Sequence, residues 1–346
     1  MRVADNSVNP TIVLETGGSD SVIAVAFHPD RKILLGGGGD GIRGWRLADG
    51  QEVGKQTGMK VWAIAVSKDH KWVVCGTDKG ASVWDAELHN KIFEVEGTSK
   101  VYAVDLSPDL TRFATGTGRS EASVWNITSG GRLVGPLEHD DWVIGVRFSP
   151  SGEHIATFIP GGSVRIFDSH NGGQLLDIKA ERQSKCPLGV TPLAWSNDGK
   201  EISTITNNNK IKSFTISTGS QLAESPILIY ERSISLAGNG KFIATVADHA
   251  ISFLDSSTLA KIGTAIEDSK EMRSIAISLD SSRIATGRAD GKIILYDLAS
   301  FLPDSYGPFH VSIFPFIVLA FRMSNIVSPI IPGTTSRRAA FDLGRP

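Results

Sequence analysis

The stretch VIAVAFHPDRKILLGGGGDGIRGW, Val22 to Trp45, decides the fold. Its glycines Gly36, Gly38 and Gly41 satisfy G-x-G-x-x-G, the spacing of a loop that wraps a phosphate. Its first half reads differently: two apolar runs joined by His-Pro-Asp-Arg-Lys, the composition of a hairpin turn. A dinucleotide fingerprint needs a helix starting at the glycines, because the helix N-terminus holds the pyrophosphate. Here Ile42 to Leu47 continue as a strand. The glycines Gly36 to Gly41 are therefore expected in a flexible turn between the second and third strands of one sheet.

The same unit recurs. VWAIAVSKDHKWVVCG from Val61, VYAVDLSPDLTRFATG from Val101 and VIGVRFSPSGEHIATF from Val143 each hold an apolar strand, a polar turn and a second apolar strand. VTPLAWSNDGKEISTI from Val190, ERSISLAGNGKFIATV from Glu231 and MRSIAISLDSSRIATG from Met272 do the same. A third strand follows each, ending in Trp45, Trp84, Trp125, Phe167, Phe214, Leu254 or Tyr296, at intervals of 39 to 47 residues. Fourth-strand candidates follow most of them, such as Lys91 to Gly97 and Gln174 to Ala180. Four short strands per period of about 40–45 residues are one blade of a β-propeller.

At this point the chain resembles the WD-repeat, transducin β-like family. The dipeptide stands at Trp84-Asp85, with related forms at Trp125-Asn126, Phe167-Asp168, Leu254-Asp255 and Tyr296-Asp297. Val143 to Pro150 keeps the family's strand opening, and Glu138-His139 resembles its Gly-His turn. The resemblance implies an all-β, seven-bladed propeller of four-stranded antiparallel blades over residues 10–300. It also implies closure by the N-terminal strand Thr11 to Glu15, because the seventh repeat offers three clear strands. Residues 301–346 are expected to be a short irregular C-terminal tail: packed on the propeller, disordered, or a mispredicted gene end. Its apolar run Ile313 to Phe321 is interrupted by Pro315 and is short for a membrane span.

Within such blades the family shares a hydrogen-bonded set of His, Ser or Thr, Asp and Trp. No repeat here has all four. The fourth offers His139 and Thr157, with Gly161 and Phe167 in the other places. The third has Thr115 and Trp125 but Arg119 for Asp, the second has Asp78 and Trp84 but Cys75 for the hydroxyl, and the seventh has Thr286, Asp290 and Tyr296 but no His. Partly satisfied networks stabilise poorly. Apolar packing between blades is expected to carry the fold.

Composition excludes several classes. Of 346 residues, 41% are hydrophobic and 21% charged, and the net charge is −2. No block of five like charges occurs, so there is no footprint for nucleic acid or an anionic membrane. Cys75 and Cys186 form neither metal spacing nor a disulfide framework. The N-terminus lacks the apolar core of a signal peptide, which points to the cytoplasm with the nucleus also open. HExxH, CxxC and G-x-S-x-G are absent. No metal and no cofactor are expected, and His139-Asp140-Asp141 reads as a solvated turn whose histidine bonds inside its blade.

The family resemblance also implies where a partner docks: residues flanking the start of each innermost strand reach the top rim. The positions with large or basic side chains are Lys60, Trp62, Lys100, Tyr102, Trp142, Tyr230, Arg232 and Arg273. Trp, Tyr and Arg combine large contact area with a polar handle and dominate protein–protein hot spots. The expected function is a non-catalytic scaffold binding a protein or peptide on this rim, monomeric within a larger complex. The alternatives are an enzyme with inward-facing acids or histidines in the central channel, which the Ala, Val, Ile and Gly of the inner strands oppose, and a degenerate propeller separated from a larger signalling protein.

Overall fold

The computed structural model describes residues 11–16, 20–29, 32–96, 99–160, 163–179, 192–206, 210–226, 231–236, 240–247 and 249–306, with side chains outside the description at 96, 231–236 and 247. The described chain folds into seven four-stranded antiparallel sheets and two short 3₁₀ turns, Leu298–Ser300 and Asp304–Tyr306. Innermost strands run Val22–Phe27, Val61–Val66, Val101–Leu106, Gly145–Phe148, Leu193–Trp195, Glu231–Leu236 and Met272–Ile277. Each touches the innermost strand of the blade before and after it, and Val22–Phe27 touches Met272–Ile277, so the ring closes.

Blade three shows why these residues make these sheets. Arg112–Thr117 is buried along most of its length and Glu121–Asn126 over its centre, Ala122 to Val124, because neighbouring blades cover both faces. The outer strand Arg132–Glu138 buries only Val134 and Leu137. A strand covered on both faces reads as a continuous apolar run, and a half-exposed one does not. Blade core and seam are thus one packing problem: Phe113 lies in a cluster with Val74 and Val83 of blade two.

The turns follow from side-chain hydrogen bonding. After each innermost strand of blades two to five and seven a serine hydroxyl accepts backbone N–H groups across the hairpin. Ser107 Oγ accepts from Arg112 N at 2.9 Å, Ser149 Oγ from His154 N at 3.1 Å and Ser278 Oγ from Arg283 N at 2.9 Å. The residue after the large apolar side chain that ends the third strand does the same for the next turn. Asp85 accepts from His89 N and Asn90 N, Asn126 from Thr128 N and Ser129 N, and Asp255 from Ser257 N and Thr258 N. These are local Asx turns. The acidic or amide half of the dipeptide is therefore a turn-former, not a catalytic carboxylate.

Closure is made by Ile12–Glu15, which pairs antiparallel with Lys292–Asp297 in register Ile12↔Leu295 and Leu14↔Ile293. Leu14 is buried among Val22, Leu34, Trp45, Ile293 and Leu295. The last sheet thus joins the two ends of the repeat array.

One expectation is corrected. Gly36 to Gly38 are not turn residues: they end the second strand Ile33–Gly38, and the turn is only Gly39-Asp40. A Cβ at Gly36 would lie 2.4 Å from Ile293 Cδ1, and one at Gly37 would lie 2.6 Å from Val61 Cγ1. The glycines let blades seven and two close against blade one. They are packing positions between rigid neighbours rather than a source of flexibility.

Past the last repeat strand, Phe301 and Leu302 are buried in the cluster that holds Phe253, Ile284 and Tyr296. Residues 307–346, with the apolar run Ile313 to Phe321, lie outside the described residues. Among the described residues no helix is long and apolar enough to cross a membrane.

Candidate protein-interaction rim

The partial polar sets inside the blades are real but rearranged. In blade four His139 Nε2 lies 2.7 Å from Thr157 Oγ1 and Nδ1 lies 2.9 Å from Leu137 O, so neutral imidazole donates through Nδ1 and accepts through Nε2. In blade three Trp125 Nε1 donates to Thr115 Oγ1 at 2.9 Å. In blade two the Trp84 indole passes over Cys75 and donates to Ser82 Oγ at 2.9 Å. Burial pushes the Cys75 thiol up to about 12, which keeps it an inert small hydrophobe. Blade seven substitutes an ionic clamp: Arg288 bonds Asp268 at 3.0 and 3.1 Å and Asp290 through Nε and Nη2. Sequence reading missed this clamp, because Asp268 occupies a histidine's place 20 residues away from Arg288.

His139 carries a pH prediction. Burial, the largest cause, and the nearby Arg165 cation lower its pKa from 6.5 to about 4, against the opposing pull of the Leu137 carbonyl, Asp140 and Asp177. The fold favours the neutral ring. Above pH 6.5 this costs nothing, since the unfolded ring is neutral too. Between about pH 6.5 and 4 the unfolded chain gains a proton that the folded ring refuses, so stability falls, by at most about 3 kcal/mol. His139→Gln should flatten the loss of urea stability between pH 7 and 4.5 by about 2 kcal/mol. An unaltered slope would exclude His139 as its source.

At the rim, five of the eight expected positions come together. Trp62 and Tyr102 meet edge to face with centroids 5.3 Å apart, and Tyr102 stacks on Trp142 at 5.7 Å. Lys60 Nζ lies 4.1 Å and Lys100 Nζ 5.5 Å from the Trp62 ring centroid. Asp78, in the turn between second and third strands of blade two, anchors the group. It accepts the Trp62 indole N–H at 2.8 Å and lies 3.9 Å from Lys100 Nζ. Exposure divides the set: Trp62 and Tyr102 are only 7% and 5% exposed, whereas Trp142 is 44% exposed. Trp62 and Tyr102 belong to the core cluster with Ile144 and Phe158 and line the upper channel. Their part is to support; the accessible surface is Trp142, Lys60 and Lys100.

Arg273 stands apart, held by Glu271 at 2.8 Å in blade seven. Tyr230 lies outside the described residues, as does the side chain of Arg232.

The central channel encloses a cavity of about 510 Å³ walled largely by Ala, Val, Ile and Leu. Among the described residues its acidic, basic and histidine side chains are His28, Lys68, Asp105 and Arg147. Asp105 is committed: it accepts Phe148 N at 2.8 Å and Arg147 Nη1 at 3.3 Å, tying blade three to blade four. Burial nonetheless raises its pKa, against the pull of Arg147. Among the described residues no group of three or more His, Cys, Asp or Glu side chains is placed to hold a metal ion.

The family model described as "WD domain, G-beta repeat" matches residues 9–42, 50–85 and 262–297. The chain carries WD repeats over these three segments and folds as a seven-bladed β-propeller. Each matched segment starts at an outer strand and ends in the next blade, so one repeat contributes to two blades. Residues 50–85, for example, hold Glu52–Gln56 of blade one and three strands of blade two. Transcription initiation factor TFIID subunit 5 of Caenorhabditis elegans is 26% identical over 63% of this propeller chain and 34% of its own length. The small ribosomal subunit protein RACK1 of the same organism is 27% identical over 44% and 48%. WD repeat-containing protein 1-B of Xenopus laevis is 28% identical over 58% and 33%. The chain thus spans a third to a half of the length of these relatives. A solved β-propeller domain, Cps50 (Swd1) of Myceliophteria thermophila, superposes with a TM-score of 0.71 at 15% identity, covering 84% of this chain and 99% of that one.

Proposed function

We propose that this WD-repeat propeller is a non-catalytic scaffold that binds a protein or peptide partner on the rim of blades two to four. The observation that carries the reading is the exposed Trp142 ring, stacked on buried Tyr102, which in turn meets the buried Trp62 that Lys60 and Lys100 contact. A rigid, half-exposed Trp supplies contact area at little entropic cost, and the lysines favour an acidic partner segment. That relatives are named as a TFIID subunit and a ribosomal-subunit protein agrees with a role inside assemblies. The channel's committed Asp105 and apolar walls argue against a catalytic centre there.

The test is the triple variant Lys60→Glu, Lys100→Glu, Trp142→Ala, which leaves the buried Trp62 and Tyr102 untouched. Proteins co-purifying quantitatively with the wild type should be depleted at least about tenfold with the variant, as expected when a hot spot worth 2 kcal/mol or more is removed. The thermal melt should be nearly unchanged. Undiminished retention by a folded variant would defeat the rim as the docking surface.

A further inference from the structure

A second hollow lies off the rim, in the cleft between blades two and three. It measures about 360 Å³. Its setting is visible by comparing blade three with blade four. The pairings Phe113↔Trp125 and Thr115↔Ser123 correspond to Ile155↔Phe167 and Thr157↔Arg165. In blade four the space before this face is filled: His139 packs edge to face on Phe167 at 5.6 Å and bonds Thr157, and Arg165 closes the side through Asp140 and Glu138 O. In blade three the sequence has glycine at 97, four positions before the repeat start Val101, as His139 stands four positions before the repeat start Val143. Ser123 stands where blade four has Arg165. The blade-three sequence thus carries neither an imidazole nor a guanidinium at these two positions, and the hollow lies before Trp125 and Ser123.

What remains is chemically directed. Trp125 forms one wall, held by its bond to Thr115 Oγ1, and the Thr115 hydroxyl keeps its own proton to donate. Ser99 and Thr117 add hydroxyls. Arg119 and Arg132 line the opening, and the Arg132 guanidinium stacks 5.0 Å over the Trp125 ring. Among the described residues neither arginine has a carboxylate partner, although Glu121 shares the wall. Two guanidiniums without counter-ions beside an aromatic wall favour a bidentate oxyanion.

We propose that this cleft is a binding site for a planar aromatic ring carrying an anionic group. The ring occupies the space that an imidazole fills in blade four, against Trp125. The anion meets Arg119 and Arg132. The site uses none of the eight rim side chains and stands independently of the rim.

Phenyl phosphate is the probe, followed through the indole N–H signal of Trp125 in ¹H–¹⁵N spectra and assigned with Trp125→Phe. A saturable shift is expected below about 10 mM. Phenol, which lacks the anion, and inorganic phosphate, which lacks the ring, should each bind about tenfold more weakly, as should the double variant Arg119→Gln, Arg132→Gln. Arg119 is exposed and outside the core, so the variant's melt serves as its folding control. A phosphotyrosine within a short glycine peptide distinguishes the source. Tighter binding than phenyl phosphate indicates a modified protein chain, and equal binding a free aromatic anion. The proposal is overturned by an absent Trp125 response, by inorganic phosphate binding as well as phenyl phosphate, or by undiminished binding to the folded double variant.

Discussion

Removal of residues 1–18 is expected to lower the melting temperature by roughly 10 °C or more, on the scale of about 2 °C per kcal/mol for a domain of this size. The strand Ile12–Glu15 is the fourth of the seventh blade, and no other described strand takes its place. Its loss frees backbone partners along Lys292–Asp297, including Leu295 O, which accepts Thr11 N at 2.9 Å, and Gly291 O, which accepts Thr16 N at 3.2 Å and Thr16 Oγ1 at 2.8 Å. Leu14 leaves its buried site against Trp45 and Leu295. Burying a leucine is worth about 1.5–3 kcal/mol and each hydrogen bond about 1 kcal/mol, which together give about 5 kcal/mol. The bared strand is also a template for pairing, so concentration-dependent association should appear. A peptide spanning residues 9–18 added in trans should raise the melt again in proportion to its occupancy. A truncated chain that melts like the full one would show that the ring does not depend on its closing strand.

Much of this architecture was legible because propeller repeats leave two signals in phase: alternation within strands and turn-formers between them. The closing strand was legible through the family resemblance, which implied that the lone strand Thr11 to Glu15 completes a seventh repeat with only three clear strands. What could not be read was the environment shared between blades. The glycines of Gly36 to Gly38 look like a turn in one dimension. Only the approach of Ile293 and Val61, residues from two other blades, makes them strand. The rim divides on the same ground. Trp62 follows its repeat start Val61 and Trp142 precedes its own, Val143, yet sequence reading places both at the rim; Asp78 and the neighbouring Tyr102 hold Trp62 inward, whereas Trp142 remains half-open. The hollow of blade three has its trace in Ser123, which stands where blade four has Arg165, but a small side chain becomes a site only once its neighbours are placed.

Gly41→Ala is expected to be the most damaging single-methyl change in the first blade, costing about 3–5 kcal/mol. Two effects coincide there. The residue has φ +118°, a conformation that L side chains rarely adopt, and an added Cβ would stand 1.9 Å from Gln56 O and 3.0 Å from Thr57 Cα. Both neighbours are backbone of the outer strand and its end, so no side-chain rotation relieves the clash. The strand pair Ile42↔Gln56 must move apart. Gly58→Ala is the matched control: φ is +81°, but nothing lies within 4 Å of the new Cβ. That change carries the backbone cost alone, about 1 kcal/mol. Urea midpoints of the two variants at pH 7, with the slope checked for constancy, separate steric from conformational cost. Equal losses would mean that the first blade yields at Gln56, and that the tight seams around its glycines are softer than their distances imply.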